Sequence, residues 1–222
     1  MKKTTNNLKA GQGTRAFTLV ELLVVISIIG IIAAMSVGAI RSASMKRDQS
    51  AVEAQKAKLI LALEDYKGKF GSYPPDRLFN PPIPNEYRTN AHWNPLAYEL
   101  GGVRRVGANF QSESDPNHVL TPTEATNTVG VVGFVNADAV RAKSFLNLKG
   151  GSGKNADFVL RNPGLRNVML LQVAAEHPDP TESPNVWRYR AYPPNGHNPK
   201  SYDLWAEIKK STGTTNTISN WK

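Results

Sequence analysis

One block near the start of this 222-residue chain is almost wholly apolar. As a helix, residues 17–40 would be roughly 36 Å long at 1.5 Å per residue, which is enough to cross a bilayer core of about 30 Å. Glu21 is the only charged residue in the block. Because the mean hydropathy of the whole chain is negative (-0.38), we predict a transmembrane helix attached to a water-soluble body.

The segment before this block is polar and basic, and it contains no acidic residue. Residues 1–16 are typical of the cytoplasmic start of an exported protein. An ordinary secretory signal is the alternative, but its apolar region runs for about 7–15 residues and ends at a small-residue cleavage site. Here the run is longer and no A-x-A site lies close behind it, although small residues between positions 33 and 38 keep that alternative open. The basic residues of the segment are Lys2, Lys3, Lys9 and Arg15.

Beyond the apolar block the chain keeps a helical pattern but becomes polar. No proline interrupts residues 17–73, and the two prolines at 74 and 75 stop the pattern. We therefore predict one long helix, membrane-embedded over residues 17–40 and amphipathic over residues 41–73. Five apolar residues at helical spacing predict its buried face: Val52, Leu59, Leu63, Tyr66 and Phe70.

Residues 74–222 form the predicted extracytoplasmic body, in which short apolar runs alternate with turn residues. The fold class that we predict is α+β, with the long N-terminal helix packed on a small antiparallel sheet. Four runs are predicted strands, at residues 129–135, 158–160, 168–173 and 187–192. The other predicted elements are an extended proline-rich loop over 74–84, a short helix over 137–146 and a glycine-rich loop over 149–155.

The net charge of the chain is +9, from 27 basic and 18 acidic residues. Without residues 1–16 the balance is 23 to 18, or +5, and it is spread over the remaining chain. A nucleic-acid binder concentrates its positive charge on one face or helix, so the composition argues against nucleic acid as a partner. Because the chain has no cysteine, it has no disulfide and no thiolate metal site.

The string Ala-Phe-Thr-Leu-Val-Glu at residues 16–21 joins the basic segment to the apolar block. It resembles the class III signal of type IV pilins and type II secretion pseudopilins. The resemblance implies a leader that the prepilin peptidase removes by cutting between Ala16 and Phe17, followed by methylation of the new N-terminus at Phe17. Glycine is the usual residue before this cut, and alanine is a small alternative to it.

The position of Glu21 supports this interpretation on physical grounds. A carboxylate in the hydrocarbon region costs about 2.5–3.5 kcal/mol on insertion scales, so it is rarely there without a role. Cleavage before Phe17 creates an α-amine four residues away, which can pair with the carboxylate of a neighbouring subunit in a stack of helices. A wrongly stepped subunit would leave a buried charge unpaired. The resemblance implies this assembly role for Glu21; the alternative is an acid at the membrane edge, where water reaches it.

Two further regions resemble the major pseudopilin of type II secretion. In residues 62–75 a tyrosine-rich stretch closes the long helix, although a capped amphipathic helix explains this stretch equally well. Near the C-terminus the matching strings are Trp-Arg-Tyr-Arg at 187–190, Tyr-Asp-Leu-Trp at 202–205 and a closing Ile-Ser-Asn-Trp at 218–221. The middle of the chain, about residues 80–185, shows no such resemblance.

In the major pseudopilin, the segment after Tyr-Asp-Leu-Trp is a loop rich in glycine and aspartate that binds calcium. Calcium prefers six to eight oxygen ligands, several of them carboxylates. Residues 206–218 of this chain supply one carboxylate, Glu207, with Lys209 and Lys210 beside it. We therefore predict no cofactor and no metal, and only Asp203 and Glu207 remain as candidate calcium ligands.

The remaining motifs do not indicate an enzyme. The four histidines lack metal-ligand spacing, the glycine-rich loop lacks the spacing of a phosphate-binding loop, and no nucleophile elbow occurs. The sequence thus predicts a structural subunit of a type II secretion pseudopilus, which spans the inner membrane once and carries its body in the periplasm. The implied partners are identical subunits, minor pseudopilins, the prepilin peptidase and an inner-membrane assembly platform. Two alternatives stay open: a pilin of a surface or DNA-uptake pilus, and a membrane-tethered periplasmic enzyme or ligand-binding domain.

Overall fold

The protein has an N-terminal apolar helix and antiparallel sheets, so the predicted α+β class is confirmed. The chain divides into two compact units, Met1–Ala43 and Ser44–Lys222. The predicted leader, residues 1–16, lies outside the described part of the chain. The computed structural model describes residues 17–76, 91–137, 143–151, 153–162, 167–210 and 213–221, without the side chains at positions 37–39 and 41.

The long predicted helix is present as α1, Leu19–Phe70. Its first part, Leu19–Ser36, has a mean hydropathy of 2.6 and is by length and composition able to cross a membrane. The hydroxyls of Ser27 and Ser36 donate to backbone carbonyls one turn earlier, at 2.7 and 2.8 Å. This internal pairing suits a hydrocarbon environment, where an unsatisfied polar group costs several kcal/mol.

Helix α1 ends close to the predicted stop. Gly71 adopts the left-handed conformation (φ +81°), and its N–H donates to the carbonyl of Lys67 at 2.8 Å. This is a common helix C-cap, which favours glycine because a Cβ atom would be strained in that conformation. The helix therefore ends at Phe70, slightly before the predicted boundary at residue 73.

Within the unit Ser44–Lys222, one stripe of α1 packs into the hydrophobic core. Four of the five predicted face residues are buried, and the fifth, Phe70, is partly buried against the same core. The opposite stripe stays in solvent, and the side chain of Leu61 is 65 % exposed. The predicted amphipathic face is therefore confirmed.

Helix α2 (Leu96–Gly101) is buried along its whole length. A three-stranded antiparallel sheet follows, in which the strands lie side by side in chain order. Helix α3 (Pro122–Val129) comes next, and its cap residue Thr121 accepts a hydrogen bond from the N–H of Glu124. The strands of the sheet are β1 (Val103–Val106), β2 (Asn109–Ser112) and β3 (Val119–Leu120).

The C-terminal half contains two more antiparallel sheets. Strands β4 (Phe158–Arg161) and β5 (Val168–Leu171) form one pair. In the other sheet, strand β7 (Tyr202–Lys209) lies between β6 (Arg188–Ala191) and β8 (Thr215–Ser219). The even-numbered side chains of β7 are buried, so its odd-numbered side chains lie on the opposite face of the sheet.

The structure confirms some predicted elements of the body and corrects others. The strands predicted over 158–160, 168–173 and 187–192 correspond to β4, β5 and β6. The strand predicted over 129–135 is wrong: Val129 ends α3, Gly130 caps it with a left-handed conformation (φ +76°), and a 3-10 turn begins at Val135.

The remaining predicted elements fall partly on undescribed residues. Of the helix predicted over 137–146, residues 143–146 are not helical, and 138–142 lie outside the described residues. The loop predicted over 149–155 contains a 3-10 turn, Gly153–Asn155, and residue 152 is not described. The extended loop predicted over 74–84 is described only as far as residue 76, where the backbone is not helical.

A buried carboxylate joins α1, α2 and the turn at residues 135–137. Oε2 of Glu99 accepts hydrogen bonds from Tyr66 Oη at 3.0 Å and from Asn136 N at 2.9 Å, and Oε1 accepts one from Val135 N at 2.8 Å. Burial raises the pKa of Glu99 to about 7, although these donors act in the opposite direction. Glu99 thus fixes the end of α1 against the body.

Candidate functional site

The first turn of the apolar helix contains a reciprocal cap between Thr18 and Glu21. The hydroxyl of Thr18 accepts a hydrogen bond from the N–H of Glu21 at 3.2 Å. In return, Glu21 Oε2 accepts hydrogen bonds from the N–H of Thr18 at 2.9 Å and from its hydroxyl at 2.7 Å. This is a capping box, which satisfies backbone donors that a helix start otherwise leaves unpaired.

The cap engages only one oxygen of the Glu21 carboxylate. Within the described residues, Oε1 of Glu21 accepts no hydrogen bond, and the side chain lies on the exposed surface of α1. A carboxylate has about four lone-pair sites, so Glu21 retains the capacity to accept a further donor. The helix start is therefore ordered while its one carboxylate can still be approached.

Phe17 precedes this cap, and its side chain is 70 % exposed. The other residue of the predicted cleavage site, Ala16, lies outside the described residues. Cleavage between Ala16 and Phe17 therefore stays a prediction, as does the assembly role of Glu21.

The first candidate calcium ligand, Asp203, lies on β7 and is buried. Its Oδ2 accepts a hydrogen bond from the backbone N–H of His197 at 2.8 Å. Its Oδ1 accepts two from Asn198, one from the backbone N–H at 2.9 Å and one from Nδ2 at 3.0 Å. Both oxygens of Asp203 are thus already bonded to protein donors.

The second candidate, Glu207, has different neighbours. Its Oε2 lies 3.1 Å from Nε2 of His177, and the same imidazole nitrogen lies 3.0 Å from Nη2 of Arg188. Glu207 therefore connects β7 to the segment that carries His177 and to β6.

The two candidate carboxylates, Asp203 and Glu207, contact different segments of the body. They are four residues apart on one strand, which places their Cα atoms about 13 Å apart. Within the described residues, no cluster of three or more histidine, aspartate or glutamate side chains could hold a metal ion.

Thr18 is part of this site but is not among the predicted site residues. The spacing Thr-x-x-Glu directly before an apolar run is the signature of a capping box, and residues 18–21 have that spacing. The charge of Glu21 and the class III signal already account for this glutamate, so Thr18 is not predicted as its capping partner. The contact between His177 and Glu207 has no comparable signal, since the two residues are 30 positions apart.

Residues 12–37 match the family model for the prokaryotic N-terminal methylation motif. The match includes the capping box and the predicted cleavage site, and it supports a type IV pilin-like class III signal. It supports a type IV pilin-like protein, and it suggests filament self-assembly and processing by a prepilin peptidase. Together with the apolar helix, it indicates membrane anchoring. No curated protein and no solved structure matches the chain.

Proposed function

We propose that this protein is a non-catalytic structural subunit of a type II secretion pseudopilus, assembled through its N-terminal helix to drive protein export. The observation that carries the proposal is the carboxylate of Glu21 at the first turn of an exposed apolar helix, inside the methylation motif. Oε2 of this carboxylate is held by Thr18, and Oε1 can accept the α-amine of a neighbouring subunit.

Maturation creates that amine. The leader of residues 1–16 stays on the cytoplasmic side because its basic residues favour that side of the membrane. The prepilin peptidase cuts between Ala16 and Phe17 and methylates Phe17. The body then lies in the periplasm, anchored by a single span in the inner membrane.

Assembly follows from the energetics of the span. In lipid, apolar helices associate through close packing and polar contacts, since lipid tails are as apolar as the side chains. The pairing of the α-amine with Glu21 selects the correct axial step among the many positions that packing alone allows. The partners in this process are identical subunits, minor pseudopilins and an inner-membrane assembly platform, and the growing filament pushes substrates outward.

A pilin of a surface or DNA-uptake pilus is the alternative within the same class, because it would use the same motif and the same helix. The C-terminal strings at 187–190, 202–205 and 218–221 favour the pseudopilus, because they resemble the major pseudopilin. A pilus would instead form long external filaments, and a DNA-uptake pilus would bind DNA with an affinity that falls steeply as salt rises.

The proposal is tested with the substitution Glu21→Ala in the native host. We expect the variant to be inserted in the membrane and stable but absent from filaments, while Asp65→Ala, on the exposed face of α1, assembles normally. Filaments are measured by shearing and electron microscopy, and the mature N-terminus by mass spectrometry. Normal assembly of Glu21→Ala, or a purified protein that still begins at Met1, would exclude the proposal and favour a membrane-tethered enzyme or ligand-binding domain.

A further inference from the structure

The loop at residues 193–201, between β6 and β7, is organised around one carboxylate. Asp203 accepts three hydrogen bonds from this loop, all from His197 and Asn198. The amide of Asn198 also donates to the carbonyl of Tyr202 at 3.1 Å, so the loop is closed onto the start of β7. Hydrogen bonds to an ionised acceptor are roughly twice as strong as those between neutral groups.

The fit around this carboxylate is close. A Cβ atom at Gly196 would collide with Oδ2 of Asp203, so the loop backbone passes directly over the carboxylate. The next residue, His197, stacks on the indole of Trp221 with ring centroids 4.1 Å apart and planes 7° apart. Trp221 in turn meets Trp205 edge to face at 5.6 Å. Asp203 therefore also determines where the C-terminal aromatic residues pack.

Residues 206–218 correspond in position to the calcium-binding loop of the major pseudopilin, but their structure in this protein is different. Residues 206–209 complete β7, and β8 begins at Thr215, with Ala206 opposite Ile218 and Lys209 opposite Thr215. Backbone groups that would face a cation in a loop are instead paired between two strands. The carboxylate of Glu207 is held beside His177.

We propose that the body of this subunit is independent of calcium, because the carboxylate of Asp203 holds the 193–201 loop through protein N–H donors in place of a bound cation. A cation at Asp203 would have to displace donors whose hydrogens point at both oxygens. The proposal concerns the C-terminal part of the body alone, and it holds whether the filament is a pseudopilus or a pilus.

The test uses the full chain in detergent micelles, with thermal unfolding followed by circular dichroism in millimolar CaCl2 and in EGTA. We expect the same unfolding midpoint in both. Terbium serves as a luminescent calcium probe, because Trp205 and Trp221 lie close enough to Asp203 to sensitise an ion bound there. We expect no saturable terbium signal. A calcium-dependent rise of several degrees, or saturable terbium luminescence, would overturn the proposal.

The substitution Asp203→Asn tests the carboxylate directly. The variant places an NH2 group against backbone donors, so its midpoint should fall on the order of 5 °C, equally with calcium and with EGTA. Asn198→Ala, which removes only the side-chain donor, should give a smaller fall and is informative even if Asp203→Asn does not fold. Both variants should expose the indole of Trp221, seen as increased acrylamide quenching that Trp221→Phe abolishes. An unchanged midpoint in Asp203→Asn would refute the role of this carboxylate.

Discussion

The hydroxyl of Tyr66 lies 3.0 Å from Oε2 of Glu99, inside the core of the body. Tyr66 belongs to α1 and Glu99 to α2, and both side chains are fully buried. Burial of an ionised carboxylate is costly unless donors surround it, and here two backbone N–H groups complete the set. The contact therefore links the stability of the body to the protonation of one residue.

The stability of the body should decrease as pH rises, because of the titration of Glu99. Its pKa is about 7 in the folded protein, raised chiefly by burial above the ordinary value of 4.5, so the folded state keeps the proton to higher pH than the unfolded chain. Unfolding free energy should therefore fall as pH rises from about 4.5 to about 7, and this contribution should level off above. The thermal unfolding midpoint should be measured across this pH range. Its dependence on pH should be mostly lost in Glu99→Gln.

The substitution Tyr66→Phe is the matched control for this effect. It keeps the ionisable group but removes a hydrogen bond that lowers the pKa of Glu99. The decline should then extend to higher pH than in the parent protein. A decline with the same upper limit in Tyr66→Phe would contradict the assignment to this pair.

The cap at the start of α1 should depend on the hydroxyl of Thr18. Thr18→Ala removes one donor to Glu21 and the acceptor for its N–H, which should cost about 1 kcal/mol at the first turn. Hydrogen exchange at the Glu21 amide in micelles should accelerate several-fold. Thr18→Ser keeps the hydroxyl and should exchange at close to the parent rate; equal acceleration in both variants would contradict the cap.

Two leucines two positions apart on α1 should respond very differently to truncation. Leu63 is fully buried in the core, so Leu63→Ala should destabilise the body by about 2–5 kcal/mol. Leu61 is 65 % exposed, and Leu61→Ala should change stability by less than about 0.5 kcal/mol. Denaturant unfolding measures both, and similar losses would mean that this face of α1 is not the buried one.

Two glycines near the end of α1 should show effects of opposite sign. Gly68 lies within the helix and a Cβ atom there meets nothing within 4 Å, so Gly68→Ala should stabilise by about 0.5–1 kcal/mol. Gly71 has φ +81°, where a side chain is strained, so Gly71→Ala should destabilise by about 1 kcal/mol. Thermal unfolding of the two variants checks the position of the helix end, since a longer helix would make both substitutions favourable.

Periodicity and local caps account for what the sequence could predict. The apolar spacing of α1 predicts the buried face, and three short runs predict β4, β5 and β6. The error at 129–135 arose because Val-Gly-Val-Val was interpreted as a strand, while Thr121, Pro122 and Glu124 already marked a helix start that Gly130 would end. The apolar–polar alternation in residues 202–209 is typical of a strand, but β7 is not among the predicted strands; only residues 202–205 enter the sequence analysis as a family string.

The arrangement of polar groups in the core could not be predicted in this way. Glu99 accepts donors from Tyr66, 33 residues earlier, and from Asn136, 37 residues later. Nothing in its local sequence distinguishes it from an exposed glutamate on a short helix. The environment of Glu99 and the set of donors around Asp203 are both created by the tertiary fold. Both depend on where the loops lie, which the local sequence does not determine.

Every described side chain between Leu19 and Ser36 is exposed. This helix has no face suited to water. A subunit can therefore exchange contacts with lipid for contacts with neighbouring apolar helices, but it cannot dissociate into water. A filament assembled through this helix would take each subunit directly from the bilayer and, on retraction, would return the subunit to the bilayer. Shortening of the filament should therefore return subunits to the membrane and release no protein into the medium.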